Sequence, residues 1–171
     1  MQQQLFWSRR FKLIEEVLLE SGVLIPASLL SLVHLAVQHG DAPMGLVEQV
    51  GCGVFLAGTH MNIVPELQRH WWKQGQARAA AAKPGTKVAR LYTEGWFAWS
   101  RHPNYAGEIL SFVGCGLLTG TALGQWVAVA MGAGIAHWSV PELENYLKTR
   151  YGDEWTRYEA EVTAEMIPGL W

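Results

Sequence analysis

The sequence predicts an all-α protein: an integral membrane bundle of about four transmembrane helices with cytosolic termini, closed by a C-terminal amphipathic helix. Three observations predict it. Apolar stretches recur between clusters of Lys and Arg; all 13 of those cations fall on one side of the resulting topology; and residues 106–140 hold no Lys or Arg at all. Half of the 171 residues are hydrophobic and 16% are charged. Mean hydropathy is only +0.06, so segments rather than averages carry the prediction. The length fits one unit, residues 1–171 forming a single membrane domain.

The first stretch, 21–37, is apolar apart from small residues and His34 and follows Arg9, Arg10 and Lys12. Glu15, Glu16 and Glu20 precede it and no small-residue cleavage pattern follows, so it is not read as a cleavable signal. The second, 44–64, is interrupted by Glu48, Gln49, His60 and Asn62. Residues 106–140 contain one acid, Glu108. At about 1.5 Å per residue they would run roughly 50 Å, enough for two short crossings joined by a turn at 119–125.

Cations 69, 73, 78, 83, 87, 90 and 101 lie between the second and third spans, and 148, 150 and 157 follow the fourth. The connections at 39–43 and 119–125 carry none, as the positive-inside rule requires. A soluble four-helix bundle has no reason to segregate every cation. Pro26, Pro65 and Pro141 are expected to break or kink helices, while Gly107, Gly114, Gly116, Gly120, Gly124, Gly132 and Gly134 are expected to let backbones approach. Cys52 and Cys115 sit in apolar runs as small buried hydrophobes rather than a disulfide or zinc site. A net charge of −2 argues against a nucleic-acid groove, and membrane lipids are the expected surroundings.

Within the spans, Glu48, His60, Asn62, Glu108 and His137 are costly in hydrocarbon and are expected to face a bundle interior, the histidines being the more readily interfacial. Polar groups also gather at three cytosolic helix ends. Asn62, Glu66, Gln68 and Lys73 leave the second span, 101–108 enter the third, and Glu142, Glu144 and Tyr146 leave the fourth. A helix starting near Pro103 places Asn104 and Glu108 on one face and offers its free N–H groups to an anion. Interfacial anchoring accounts for Trp96, Trp99 and Arg101, but not for Asn104 and Glu108, which penetrate the apolar run.

The block "GWFAWSRHPNYAGEIL" (95–110) resembles the signature of the steroid 5-alpha-reductase C-terminal domain family, a group of membrane proteins whose block the sterol reductases share. "NIVPELQRHWWKQG" (62–75) and "VPELENYLKTRYGDEWTRYEAEVTAEMIP" (140–168) agree with it in order and spacing, so the resemblance covers 54–171, the expected cofactor-binding part. It implies a membrane-embedded, NADPH-dependent reductase that transfers hydride to a C=C bond in a lipid or steroid-like enone. Carried over, Asn62 and Glu66 would contact the nicotinamide or ribose, and Asn104 and Glu108 would fix the cofactor deeper. Arg69, Lys73 and Arg101 would meet phosphates, and Tyr146 would close the pocket.

Cationic groups suit a pyrophosphate and 2′-phosphate, and amides and carboxylates suit ribose hydroxyls. No GxGxxG follows a strand, so the site would not be a Rossmann site. The family's carbonyl-polarising acid and tyrosine come from a region upstream of the matched part. Of the upstream acids, Glu15, Glu16, Glu20 and Glu48, none lies in a matching motif, so no catalytic acid is assigned. The position near Glu142 is often basic or His in the steroid reductases.

The isoprenylcysteine carboxyl and phospholipid methyltransferases resemble the same architecture. Arg101, His102, Pro103, Tyr105 and Gly107 fit both families, and an acidic motif corresponding to Glu142 and Glu144, here split by Leu143, would help hold S-adenosylmethionine. Asn104 and Glu108 fit the reductases better. A third reading is a non-catalytic membrane scaffold or fragment. The implied location is the endoplasmic reticulum membrane for a eukaryotic source, or the inner membrane for a bacterial one.

Overall fold

The computed structural model describes residues 40–82 and 91–169, with the helical positions 29–30, 32–33 and 35–37. Most of the first expected span and cations 9, 10, 12, 83, 87 and 90 lie outside the described residues. The described chain is mostly helical, without strands among the described residues, as the sequence predicts. Its order is α1 (Leu46–Ala82), a 3₁₀ turn (Gly95–Ala98), α2 (Pro103–Thr119), α3 (Ala122–Gly134), a π-helical turn (Ile135–Ser139), α4 (Val140–Tyr151) and α5 (Asp153–Glu161).

Helix α1 has 37 residues and passes through Pro65 without interruption, so the expected break is absent. A side chain of α1 explains part of its start: Glu48 Oε2 accepts from the Gly45 N–H. Before Pro65, α1 packs closely along a seam with α2. A Cβ placed on Gly51 would meet Leu118 N at 2.4 Å, on Gly58 Ser111 N at 2.4 Å, on Gly107 Asn62 N at 2.4 Å, and on Gly114 Phe55 N at 2.2 Å. The four glycines repeat every seven residues on two antiparallel helices, which keeps one seam in contact. Gly51 and Gly58 belong to it as much as the expected Gly107 and Gly114.

The turn after α2 falls where the sequence places it. Gly120 takes the left-handed conformation (φ +59°) that ends α2, and Thr121 caps α3 by accepting from Gly124 N at 3.1 Å. Gly116 and Gly124 then bring α2 and α3 together, a Cβ on Gly116 lying 3.1 Å from Gly124 O. Gly132 and Gly134 meet only side chains, at 3.7 Å, so the close backbone approach expected there does not occur. At Pro141 the helix is not broken; the register change is absorbed by the π turn immediately before it.

Two cores result. Ala106, Val127, Met131, Ile135, Val140 and Met166 form one between α2, α3 and the chain end. Tyr92, Phe97, Trp155, Tyr158 and Val162 form the other, on which α5 lays its apolar face. That helix is the expected C-terminal amphipathic one: Trp155 and Tyr158 are buried while Thr156, Arg157 and Glu161 are exposed.

Among the described residues, no helix is long and apolar enough to cross a membrane. The reasons are local. Helix α2 has 17 residues and α3 only 13, while the apolar part of α1 is diluted by Glu48, Gln49, Thr59, His60 and Asn62. His60 and His137 are exposed rather than turned to an interior, and His60 sits edge-on to Trp96 at 6.1 Å. Large apolar side chains nevertheless point outward along α1 (Leu46, Val47, Val50, Leu56, Ile63) and α3 (Leu123, Trp126, Val129).

Candidate functional site

The segment between the 3₁₀ turn and α2 is pinned by the chain end. Arg101 N donates to Ala164 O at 3.0 Å and His102 N to Glu165 O at 2.8 Å; Ser100 Oγ donates to Glu165 O at 2.9 Å. Tyr158 on α5 donates its hydroxyl to Phe97 O at 2.7 Å, and burial pushes that phenol's pKa above its ordinary value. Every nitrogen of the Arg101 guanidinium has a partner. Nε donates to Glu144 Oε1 (2.8 Å), Nη1 to Val162 O (2.8 Å) and Thr163 O (3.0 Å), and Nη2 lies 3.3 Å from Glu165 Oε1.

Glu144 Oε1 also lies 3.2 Å from His102 Nε2, so one buried carboxylate oxygen serves both neighbours. Burial lowers the pKa of His102, with the Glu144 contact opposing the shift. The imidazole is therefore neutral at pH 7, and as a neutral ring it donates from Nε2 to the carboxylate. It stacks on Tyr105 with centroids 5.8 Å apart and lies 6.5 Å from the Trp155 ring.

In front of this framework is a cavity of about 260 Å³. Six of the residues singled out in the sequence line it: Arg69, Lys73, Arg101, His102, Asn104 and Tyr105. Lys73 and Asn104 make no side-chain hydrogen bond or ion pair to any described residue, which leaves an ammonium and an amide available. The pKa of Lys73 is lowered, first by burial and then by Arg69 and Arg150. Arg69 is paired with Glu66 on the preceding turn of α1 and lies over the Phe97 ring at 5.7 Å.

The other singled-out residues stand around the cavity rather than on its wall. Asn62 packs against Gly107 in the helix seam, and Glu66 holds Arg69. Glu144 is behind the wall, and Tyr146 accepts from Arg150. Glu108 is half-buried on α2 and does not line the cavity. Sequence reasoning missed the aromatic share of the lining, Tyr92, Phe97, Tyr151, Trp155 and Tyr158. The signal available was the Trp155 and Tyr158 pair, three apart in an otherwise polar segment, which marks a buried helical face. No Asp or Glu lines this cavity.

A second cavity, about 530 Å³, lies along the same segment and is lined by Met61, Gln68, Gly95, Trp96, Trp99, Ser100, Pro103, Met166 and Pro168.

The chain is similar in sequence to known proteins. Over 131 residues the chain is 28% identical to the Delta(14)-sterol reductase ERG24 of Saccharomyces cerevisiae, covering 73% of this chain and 29% of that protein. Over 141 residues it is 30% identical to the Delta(14)-sterol reductase ERG24 of Candida albicans, covering 79% of this chain and 31% of that one. The chain thus spans less than a third of the length of these relatives. The resemblance to the steroid 5-alpha-reductase C-terminal family is borne out, and with residues 7–162 matching the family described as "Protein of unknown function (DUF1295)", the chain belongs to that family.

Proposed function

We propose that this chain is the cofactor-binding part of a membrane-embedded reductase that saturates a C=C bond in a sterol-like lipid, with NADPH in the 260 Å³ cavity. The observation that carries the reading is the lining itself: three cations, seven aromatic or imidazole rings and an amide with no partner among the described residues, with no carboxylate. That set suits an anionic dinucleotide, whose phosphates need cations and whose ribose and amide groups need hydrogen-bonding partners. It does not suit the sulfonium and amino group of S-adenosylmethionine, which call for negative charge. The volume lies below the roughly 300–1,000 Å³ of sites that enclose a drug-sized ligand. NADPH would therefore place only part of its length inside and run along the open side.

When bound, the nicotinamide supplies the hydride. The chain's own residues bind and orient: Lys73 and Arg69 face the phosphates, Asn104 offers donor and acceptor, and Tyr105 and Trp155 give flat apolar walls. Two relatives named as sterol reductases support the substrate class. The one-sided cations and the outward apolar faces of α1 and α3 support a lipid setting, the endoplasmic reticulum membrane in a eukaryote or the inner membrane in a bacterium.

The test is thermal unfolding of the purified chain in detergent with each ligand. A ligand that binds only the folded state at 100 times its Kd adds about 2.7 kcal/mol, so NADPH is expected to raise the melting temperature and S-adenosylmethionine to leave it unchanged. Stabilisation by S-adenosylmethionine alone would replace this reading with the methyltransferase one. No effect of either would favour a scaffold.

A further inference from the structure

We propose that Tyr92 is a further ligand-binding residue of the 260 Å³ cavity, its phenol donating a hydrogen bond to a phosphate oxygen whose charge Lys73 meets. Tyr92 precedes the 95–110 block, and neither 62–75 nor 140–168 contains it. Its ring is clamped: Trp72 packs against it with centroids 5.3 Å apart, and Phe97 meets it edge-on at 5.7 Å. Arg69 lies over the same Phe97 ring. Arg69, Trp72 and Lys73 are spaced to share one face of α1, so Tyr92 is packed on the face that carries both of the cavity's α1 cations.

The hydroxyl is what the clamp leaves over. Tyr92 is only 9% exposed, yet its oxygen makes no hydrogen bond to any described residue. Nor is it sealed in: the occluded polar atoms without a partner are Glu66 Oε1, Gln68 Oε1 and Trp155 Nε1. The Tyr158 hydroxyl in the same wall is taken, donating to Phe97 O at 2.7 Å and Ser100 O at 3.3 Å. Burial, and then Glu94, raise the pKa of Tyr92, so at pH 7 it is a neutral donor. A cation held between Trp72 and Phe97 would lose its hydration, whereas a phenol brings a donor on a stem that is already ordered. A phosphate has more acceptor oxygens than one ammonium fills, and Lys73 lines the same cavity with no acid in ion-pair contact among the described residues. Lys73 supplies charge and Tyr92 supplies direction. Naming that phosphate as part of a dinucleotide rests on the reductase reading; the phenol's contact with a phosphate does not.

The test uses the full chain in detergent, titrated with NADPH and, separately, with inorganic pyrophosphate, which carries phosphates alone. Tyr92→Phe keeps the ring and removes the oxygen. Without ligand it should melt within about 1 °C of the parent, because no protein hydrogen bond is lost. It should bind both probes about tenfold or more weakly, as expected for a lost hydrogen bond to a charged group. A packing role would instead lower the ligand-free melting temperature and spare affinity, and that result overturns the proposal. Parent-like affinity for both probes overturns it too, as does a loss confined to NADPH, which would put the phenol on a ribose or the nicotinamide. If NADPH binds parent and variant equally, the role of Tyr92 alone is lost. If the parent binds pyrophosphate with this dependence on Tyr92 but does not bind NADPH, the reductase reading alone is lost.

Discussion

Replacing Glu144 by alanine removes the oxygen that Arg101 Nε and His102 Nε2 share at 2.8 and 3.2 Å. The side chains of Arg101 and Glu144 are only 5% and 11% exposed, so solvent cannot take over the lost contact. Breaking one partner out of a buried ion pair costs about 3–5 kcal/mol. Glu165 still faces Nη2 and two carbonyls still face Nη1, which places the cost at the lower end, about 3 kcal/mol. At ~2–4 °C per kcal/mol for a chain of this size, the melting temperature should fall by about 6–12 °C. The assay is thermal unfolding in detergent, without ligand. Removing both charges with the Arg101→Met/Glu144→Leu pair should cost less than the sum of the single changes, because neither group is then stranded. A fall under about 2 °C for Glu144→Ala would refute the structural role, and a loss of NADPH stabilisation at unchanged melting temperature would make Glu144 a ligand contact instead.

The glycine seam offers a paired test: Gly114→Ala, whose Cβ would sit 2.2 Å from Phe55 N, should destabilise by about 1–3 kcal/mol, whereas Gly53→Ala, with open space around it, should be neutral or slightly stabilising. His102 binds its proton less readily folded than unfolded, so its contribution is present above the unfolded pKa of 6.5 and is lost as pH falls below it. Measured as a pH series of unfolding free energy, His102→Asn should flatten the loss between about pH 6.5 and the lower folded pKa, and a parallel profile would contradict the lowered pKa. Tyr158→Phe removes the bond to Phe97 O and should cost about 1 kcal/mol, read from the denaturation midpoint. Lys73→Ala should weaken NADPH binding several-fold and NADH binding less, with a smaller salt dependence, in a fluorescence titration; equal losses would place Lys73 away from the extra phosphate.

Much of the architecture was legible because its signals are local. Pro103 at a helix start, the Gly120 turn with Thr121 behind it, and the amphipathic α5 each follow from residues within one turn of each other. Long-range pairings were not. Nothing in the spacing says that Arg101 would reach Val162 and Thr163, sixty residues away, because the chain end folds back through main-chain hydrogen bonds that any residue type can make. Gly51 and Gly58 escaped notice for a related reason: a glycine has meaning in a seam only when its partner at Leu118 or Ser111 is known. Neither Pro65 nor Pro141 ends its helix, and the distortion near Pro141 takes the form of the π turn directly before it.

The distribution of charge in the cavity bears on which residues can draw an anion. Arg101 is the cation most visible in the motif, yet its charge is met by Glu144 and Glu165, so its field at the cavity is largely cancelled. Arg69 is paired with Glu66. Lys73 makes no ion pair with an acid among the described residues; Glu66 and Tyr146 act on it from a distance, but burial, Arg69 and Arg150 outweigh them and lower its pKa. An arriving phosphate would relieve that repulsion, and it would meet Lys73 with less competition than Arg101. Arg101 is then the strut that sets the cavity's shape, and α1 supplies the attraction. Changing Arg101 should lower stability before it changes ligand affinity, whereas changing Lys73 should do the reverse. The two melting curves, with and without NADPH, separate these outcomes directly.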